Sequence, residues 1–265
     1  MEGQSPLVTR PPAVSGSFYP QHAAELRAVT RNLLSRASHD GPVPKVLIAP
    51  HAGYIYSGPV AATGYARLDG NADHIRRVVL IGPAHRVHFQ GVALSTAAGF
   101  DTPLGSVGID TQVVDVLRRR DAVTNHDEAH RQEHCLEVHL PFLQQTLSDF
   151  NLVPVLVGDI SATELTATLD SLWGGPETLI VVSTDLSHFL SYEQAVQLDG
   201  ETTRAIEQTQ PRLGLTEACG CRPLNAALEL IRAKHLQIAT LDVRNSGDTA
   251  GSRDRVVGYG TYVAS

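Results

Sequence analysis

Residues 46–54 read Val46-Leu47-Ile48-Ala49-Pro50-His51-Ala52-Gly53-Tyr54: four apolar residues in a row, a proline that stops them, then a histidine and a glycine. A short apolar run bounded by turn residues is the pattern of a strand buried on both faces, and the stretch from Pro59 through Ala66 that follows has a helical pattern. The unit is therefore strand, turn, helix. It returns at Val78-Val79-Leu80-Ile81, which ends in Gly82-Pro83-Ala84-His85. It returns again at Thr178-Leu179-Ile180-Val181-Val182, which runs into Ser183-Thr184-Asp185-Leu186-Ser187-His188. Three apolar strands each lead to a histidine.

Working outward, Leu152 to Val157 is a further strand, and its internal Pro154 predicts an edge position or a bulge. Helical patterns cover Ala23 to Leu34, Thr163 to Leu172 and Glu193 to Ile206. Gln237 to Arg244 and Arg255 to Val263 read as late strands on either side of the polar loop Asn245-Ser246-Gly247-Asp248-Thr249-Ala250-Gly251. Strands alternating with helices imply an α/β fold with a mostly parallel central sheet flanked by helices. No repeat or linker divides the chain, so one domain over residues 1–265 is expected. In such sheets ligands bind beyond the carboxyl ends of the strands. The segment before the first helix, rich in Pro and Gly, carries Phe18 and Tyr19, which are assigned to packing.

Composition narrows the function classes. A net charge of -7, without an extended run of Lys or Arg, argues against a nucleic-acid partner. No apolar stretch approaches the roughly 20 residues that cross a bilayer, and Met1-Glu2-Gly3-Gln4 lacks the features of a leader. A cytoplasmic protein with no membrane partner is expected. The 3 cysteines do not form a disulfide framework. Cys219 and Cys221 could ligate a soft metal, but as a Cys-x-Cys pair in an apolar context they are assigned to the core.

The 12 histidines matter through their placement, because neutral imidazole is a ligand for iron, zinc and copper. His51 and His85 lead as metal candidates if their strands are neighbours; each is otherwise a turn histidine bonded to backbone. Asp185 and His188 occupy the third strand end as ligand or proton carrier, with Asp185 equally suited to cap a helix. Asp248 offers a carboxylate, and two histidines with one carboxylate leave open positions on Fe(II). His130-Arg131-Gln132-Glu133-His134 matches an H-x-x-E-H zinc peptidase pattern, but it is short, and Pro141 should disturb or end the helix it would need. Glu133, His134, Glu137 and His139 could instead face the pocket as partners that orient ligands. Neither a phosphate-binding loop nor a serine-hydrolase elbow occurs.

Taken in order, Gly16-Ser17-Phe18-Tyr19, Ala49 to Tyr54, Gly82 to His85, Glu133-His134 through Leu140-Pro141-Phe142, Pro154 to Gly158, Ser183 to His188, Cys219-Gly220 and Asn245 to Asp248 resemble the Memo family over nearly the whole chain. The resemblance implies a fold similar to LigB-type class III extradiol dioxygenases. It also implies metal-binding roles for His51 and His85 and pocket roles for Asp185 and His188. Microbial members are associated with radical-SAM and AMMECR-type proteins, which are therefore expected partners. Animal members supply a cysteine ligand from the C-terminal loop, and the ungapped match here falls on Thr249 beside Asp248, which would favour iron or zinc over copper(I).

The leading expectation is a metal-dependent oxidoreductase in which His51, His85 and Asp248 (or Thr249 or a water as third ligand) hold Fe(II), with zinc or copper as alternatives. His188, Asp185 and His134 would serve catalysis on a small phenolic or similar substrate. The alternatives are a partner-binding module and a zinc metallopeptidase using His130 and His134.

Overall fold

Among the described residues, nine strands form one sheet in the order β10-β11-β1-β8-β2-β7-β3-β6, with β9 paired to β11. They are β1 (Val46–Ala49), β2 (Arg77–Pro83), β3 (Val92–Leu94), β6 (Val123–Asn125), β7 (Asn151–Val157), β8 (Thr178–Ser183), β9 (His188–Leu190), β10 (Ile238–Asn245) and β11 (Val256–Ala264). β4 (Gly99–Thr102) and β5 (Gly105–Gly108) make a separate hairpin. The computed structural model describes residues 8–70 and 72–265. Met1 to Gln4, read above for a leader, lie outside the described residues.

The four central strands β1, β8, β2 and β7 are mutually parallel, while β11 joins β1 and β3 joins β7 antiparallel. Every residue of β1 and β8 is buried, as expected of strands covered on both faces. The helices are α1 (Ala23–Ser35), α2 (Tyr54–Tyr65), α3 (Thr111–Leu117), α4 (Asp127–Arg131), α5 (Leu140–Thr146), α6 (Ala162–Ser171), α7 (Tyr192–Glu207) and α8 (Cys221–Ala233). α2 lies against β1, β10 and β11, with α1 and α5 packed on it; α8 lies against β8 and β2, with α6 beside it. The chain is thus a single-domain α/β protein with a parallel centre flanked by helices. Among the described residues no helix is long and apolar enough to cross a membrane.

Three proline readings are revised. α2 begins at Tyr54, before Pro59 rather than at it; the carbonyl that Pro59 cannot bond belongs to Ile55, an exposed residue. Pro154 stands in β7, an interior strand by order, but β3 pairs with β7 only at Leu156 and Val157. The strand is open on that side at Pro154, and a ring nitrogen turned that way forfeits no ladder bond. Pro141 starts α5 instead of ending a helix, because the first turn needs no N–H there.

Candidate metal centre

Parallel register brings three strand ends together. Ala49 of β1 pairs with Ser183 of β8, and Ile81 of β2 pairs with Val182 of β8. The residues just beyond these pairs, His51, Asp185 and His85, therefore emerge at one level on adjacent strands. The loop between η1 (Glu137–His139) and α4 delivers His134 to the same place. The ring centroids of His51, His85 and His134 lie 4.8–5.4 Å apart, and one ligand nitrogen from each falls within 4.8 Å of the others. Gly82 permits this approach, since a Cβ there would lie 2.9 Å from Cys135 Sγ, beside His134 in the chain.

The hydrogen bonds fix which nitrogens face inward. Ser183 has one hydroxyl proton, and it donates that proton to the Cys135 carbonyl at 2.7 Å. His51 Nδ1, 2.7 Å from the same oxygen, must then be the donor, which leaves a lone pair on Nε2. Glu133 sets the other two rings. Its carboxylate accepts from His85 N at 2.6 Å, His85 Nδ1 at 2.9 Å, His134 N at 3.0 Å and Cys135 N at 3.2 Å. Burial alone would raise its pKa, but the bonds and charge of His134 and His85 outweigh it and hold Glu133 ionised. An ionised carboxylate only accepts, so His85 Nδ1 is the donor and Nε2 is the nitrogen left to face the site. His134 Nδ1 lies 3.1 Å from Glu133 Oε1, close enough for attraction but too oblique for a hydrogen bond, and it is buried without a partner.

Burial, reinforced by His85, His134 and His139, pushes the His51 imidazolium well below the usual histidine range. The ring is neutral, the form that ligates metal. Asp185, also buried, accepts His51 N–H at 2.8 Å and holds Oδ2 3.9 Å from His51 Nε2. Burial raises the Asp185 pKa, opposed by that bond and by the imidazoles of His188, His134 and His85. His188, at the start of β9, lines a cavity of about 350 Å³ together with His85 and Cys219.

Cys219 is the residue that sequence reasoning misplaced. Its Sγ lies 3.4 Å from His51 Nε2 and accepts the Asp185 N–H at 3.3 Å. It belongs to the site and not to the core; Cys221 does lie buried, at the start of α8. Gly220 lets the loop in, because a Cβ there would sit 2.6 Å from the Ser183 carbonyl. Burial and the Asp185 carboxylate push the thiol up to about 12, so it is protonated and donates to His51. The Cys219-Gly220 string offered a signal, but nothing local reveals a partner 168 positions away.

The carboxylate expected to join the imidazoles does not reach them. Asp248 accepts the Tyr192 hydroxyl at 2.6 Å and the Asn245 N–H at 3.1 Å, closing its own loop. With Thr249 it borders a different hollow, beside Leu33 and Arg36. No ligand group that could hold a metal among the described residues includes it.

The H-x-x-E-H string is also split. α4 ends at Arg131, and His130 turns away to place Nε2 3.0 Å from the Ala93 carbonyl. Phe18, assigned to packing, packs on the His134 ring at 4.9 Å, and Glu137 and His139 serve the scaffold: Tyr65 holds His139 Nδ1 at 2.8 Å.

Burial lowers the His130 pKa from 6.5 to about 4, which gives a test of the fold. Above pH 6.5 the ring is neutral folded or unfolded. Below it the unfolded chain gains a proton that the fold refuses, so stability falls, and the loss levels off near pH 4. The contribution is on the order of 3 kcal/mol. Urea unfolding between pH 7 and 4 should show a smaller loss in His130→Gln than in the parent; equal slopes would refute this assignment.

Comparison with known proteins gives the family. A family model described as Memo-like protein matches residues 10–263. MEMO1 family proteins from Metallosphaera sedula, Ignicoccus hospitalis and Archaeoglobus fulgidus are 32%, 33% and 33% identical, covering 94%, 96% and 96% of this chain and 97%, 97% and 98% of their own length. The chain belongs to the Memo family.

Proposed function

We propose that His51, His85 and His134 hold a divalent metal, Fe(II) in the first instance with zinc or copper as alternatives, and that the protein is a metal-dependent oxidoreductase acting on small phenolic or similar molecules. The observation that carries this reading is the convergence of three imidazoles, with Nδ1 of His51 held by Ser183 and Nδ1 of His85 held by Glu133, so that Nε2 of each is left to face the site. The donor set fits: imidazole suits iron, zinc and copper, and the unpartnered His134 Nδ1 is a buried polar atom in need of a role.

A bound divalent cation would supply Lewis acidity toward a phenolic oxygen and, if iron, redox capacity. The chain's own residues do the rest. His188, which lines the cavity, would take the phenolic proton, while Asp185 would hold His51 in position through its backbone N–H. Cys219 stands within reach as a further ligand once a cation lowers its pKa, which restores the thiol that the Thr249 position lacks. The reading as a partner-binding module rested on that missing thiol. The radical-SAM and AMMECR-type partners, and residence in the cytoplasm, remain parts of this proposal.

Anaerobic titration with Co(II) tests it. The wild-type protein should develop visible d–d bands together with a near-ultraviolet thiolate-to-cobalt band. Cys219→Ser should keep the first and lose the second. Absence of visible bands in the wild type would remove the metal reading altogether; a charge-transfer band that survives in Cys219→Ser would remove Cys219 from the ligand set.

A further inference from the structure

The cavity beside the imidazoles has a chemistry of its own. Its volume of about 350 Å³ is at the lower end of the roughly 300–1,000 Å³ found for small-molecule sites, a size for one ring rather than a nucleotide. Val87, Phe89, Val157 and Pro223 give it apolar walls, and His85, His188 and Cys219 lead down to the buried His51. At the rim stands Arg222, in the first turn of α8, whose guanidinium donates to Asp159 Oδ1 at 2.8 Å.

The walls do not share the negative charge of the whole molecule. The chain carries -7, yet the cavity is lined by a single carboxylate, Asp159, which Arg222 balances, with His85, His88 and His188 as further polar lining. The nearest buried acids, Glu133 and Asp185, are already engaged by backbone N–H groups. Arg222 and Asp159 are each about half exposed, at 45% and 49%, and an ion pair so exposed is worth about 1 kcal/mol or less. A carboxylate arriving from solvent can therefore replace Asp159 on the guanidinium, whose planar fork suits it.

We propose that this cavity binds a small single-ring carboxylic acid, with the ring between the apolar walls, the carboxylate on Arg222 and the opposite edge of the ring toward the histidines. The inference rests on the proposed function, whose substrate class it narrows to an aromatic acid, and it makes Arg222 the residue that selects for charge. Asp159 is then a built-in competitor, which yields two variants with opposite effects.

The test uses metal-free full-length protein, so that it does not depend on the metal. Benzoate and its neutral isostere benzamide are titrated into isotope-labelled protein and followed by heteronuclear NMR. Benzoate should perturb residues around Phe89, Val157 and Arg222 and bind more tightly than benzamide. Arg222→Gln should weaken benzoate about 10-fold and leave benzamide unchanged. Asp159→Asn should tighten benzoate by about two- to five-fold. Both side chains are at the surface, so neither substitution threatens the fold. Equal binding of the two probes, no binding of either, or indifference to Arg222→Gln overturns the proposal. The Co(II) experiment decides the metal site separately: cobalt bands without benzoate binding would leave that site standing and this inference lost.

Discussion

Glu137→Ala is expected to lower the unfolding free energy by about 3–5 kcal/mol, the range for removing one partner of a buried ion pair. Glu137 is fully buried and accepts from Arg10 Nη1 at 2.5 Å, Ala13 N at 2.7 Å, Val14 N at 3.0 Å and the Tyr19 hydroxyl at 2.5 Å. Truncation leaves the Arg10 guanidinium charged in the interior with the carbonyls of His130, Glu133 and Pro11 and the Phe100 ring as its remaining partners. Those contacts make the pair more than scaffold, because Arg10 grips the backbone on both sides of the segment that carries Glu133 and His134. Denaturant unfolding of Glu137→Ala, Arg10→Met and the Arg10→Met/Glu137→Met double variant would measure it. The double variant should recover much of the loss, since no charge is stranded. A loss below about 1 kcal/mol in Glu137→Ala would show that the clamp is not what secures the segment.

The second large effect concerns the metal. His51→Ala removes a proposed ligand and should weaken Co(II) or Fe(II) binding by more than about 100-fold, beyond the 10–100-fold usual for losing a supporting partner. Glu133→Gln leaves all three imidazoles present but takes away the charge and one acceptor oxygen that orient two of them. It should fall within that 10–100-fold interval. Competition against a chelator of known affinity, read by the visible bands, gives both numbers. If His51→Ala binds as tightly as the parent, the imidazole cluster is not the site. If Glu133→Gln matches the parent, His85 and His134 are oriented by something other than this carboxylate.

The parts of this arrangement that were legible in the sequence share a cause. β1, β2 and β8 announced themselves because strands covered on both faces must be apolar throughout, and because Pro50, Gly82 and Asp185 mark where the apolar runs give way to turn and polar residues. With three such strands parallel, His51, His85 and Asp185 had to meet if the strands were neighbours. The short flanking strands β3 and β6 and the β4–β5 hairpin gave no comparable pattern, being three or four residues long. His134 could be suspected only as a supporting residue, since its approach depends on contacts from Arg10 more than 120 residues earlier. Cys219 was misread because the thiols of a Cys-x-Cys pair are more often buried core than ligands, which holds for Cys221 and not for Cys219. Asp248 was misread for the converse reason: a loop carboxylate looks available until Tyr192 and its own backbone claim it.

The three rings rest on two mounts. His51 is fastened to β8 by Ser183 and Asp185, whereas His85 and His134 are yoked to a single carboxylate, one oxygen of which lies 2.9 Å from one ring and 3.1 Å from the other. Two rings hitched to one post travel together, so the cage has a single seam, between the strand-borne imidazole and the yoked pair. An ion held as proposed would be fitted, larger or smaller, by opening or closing that seam.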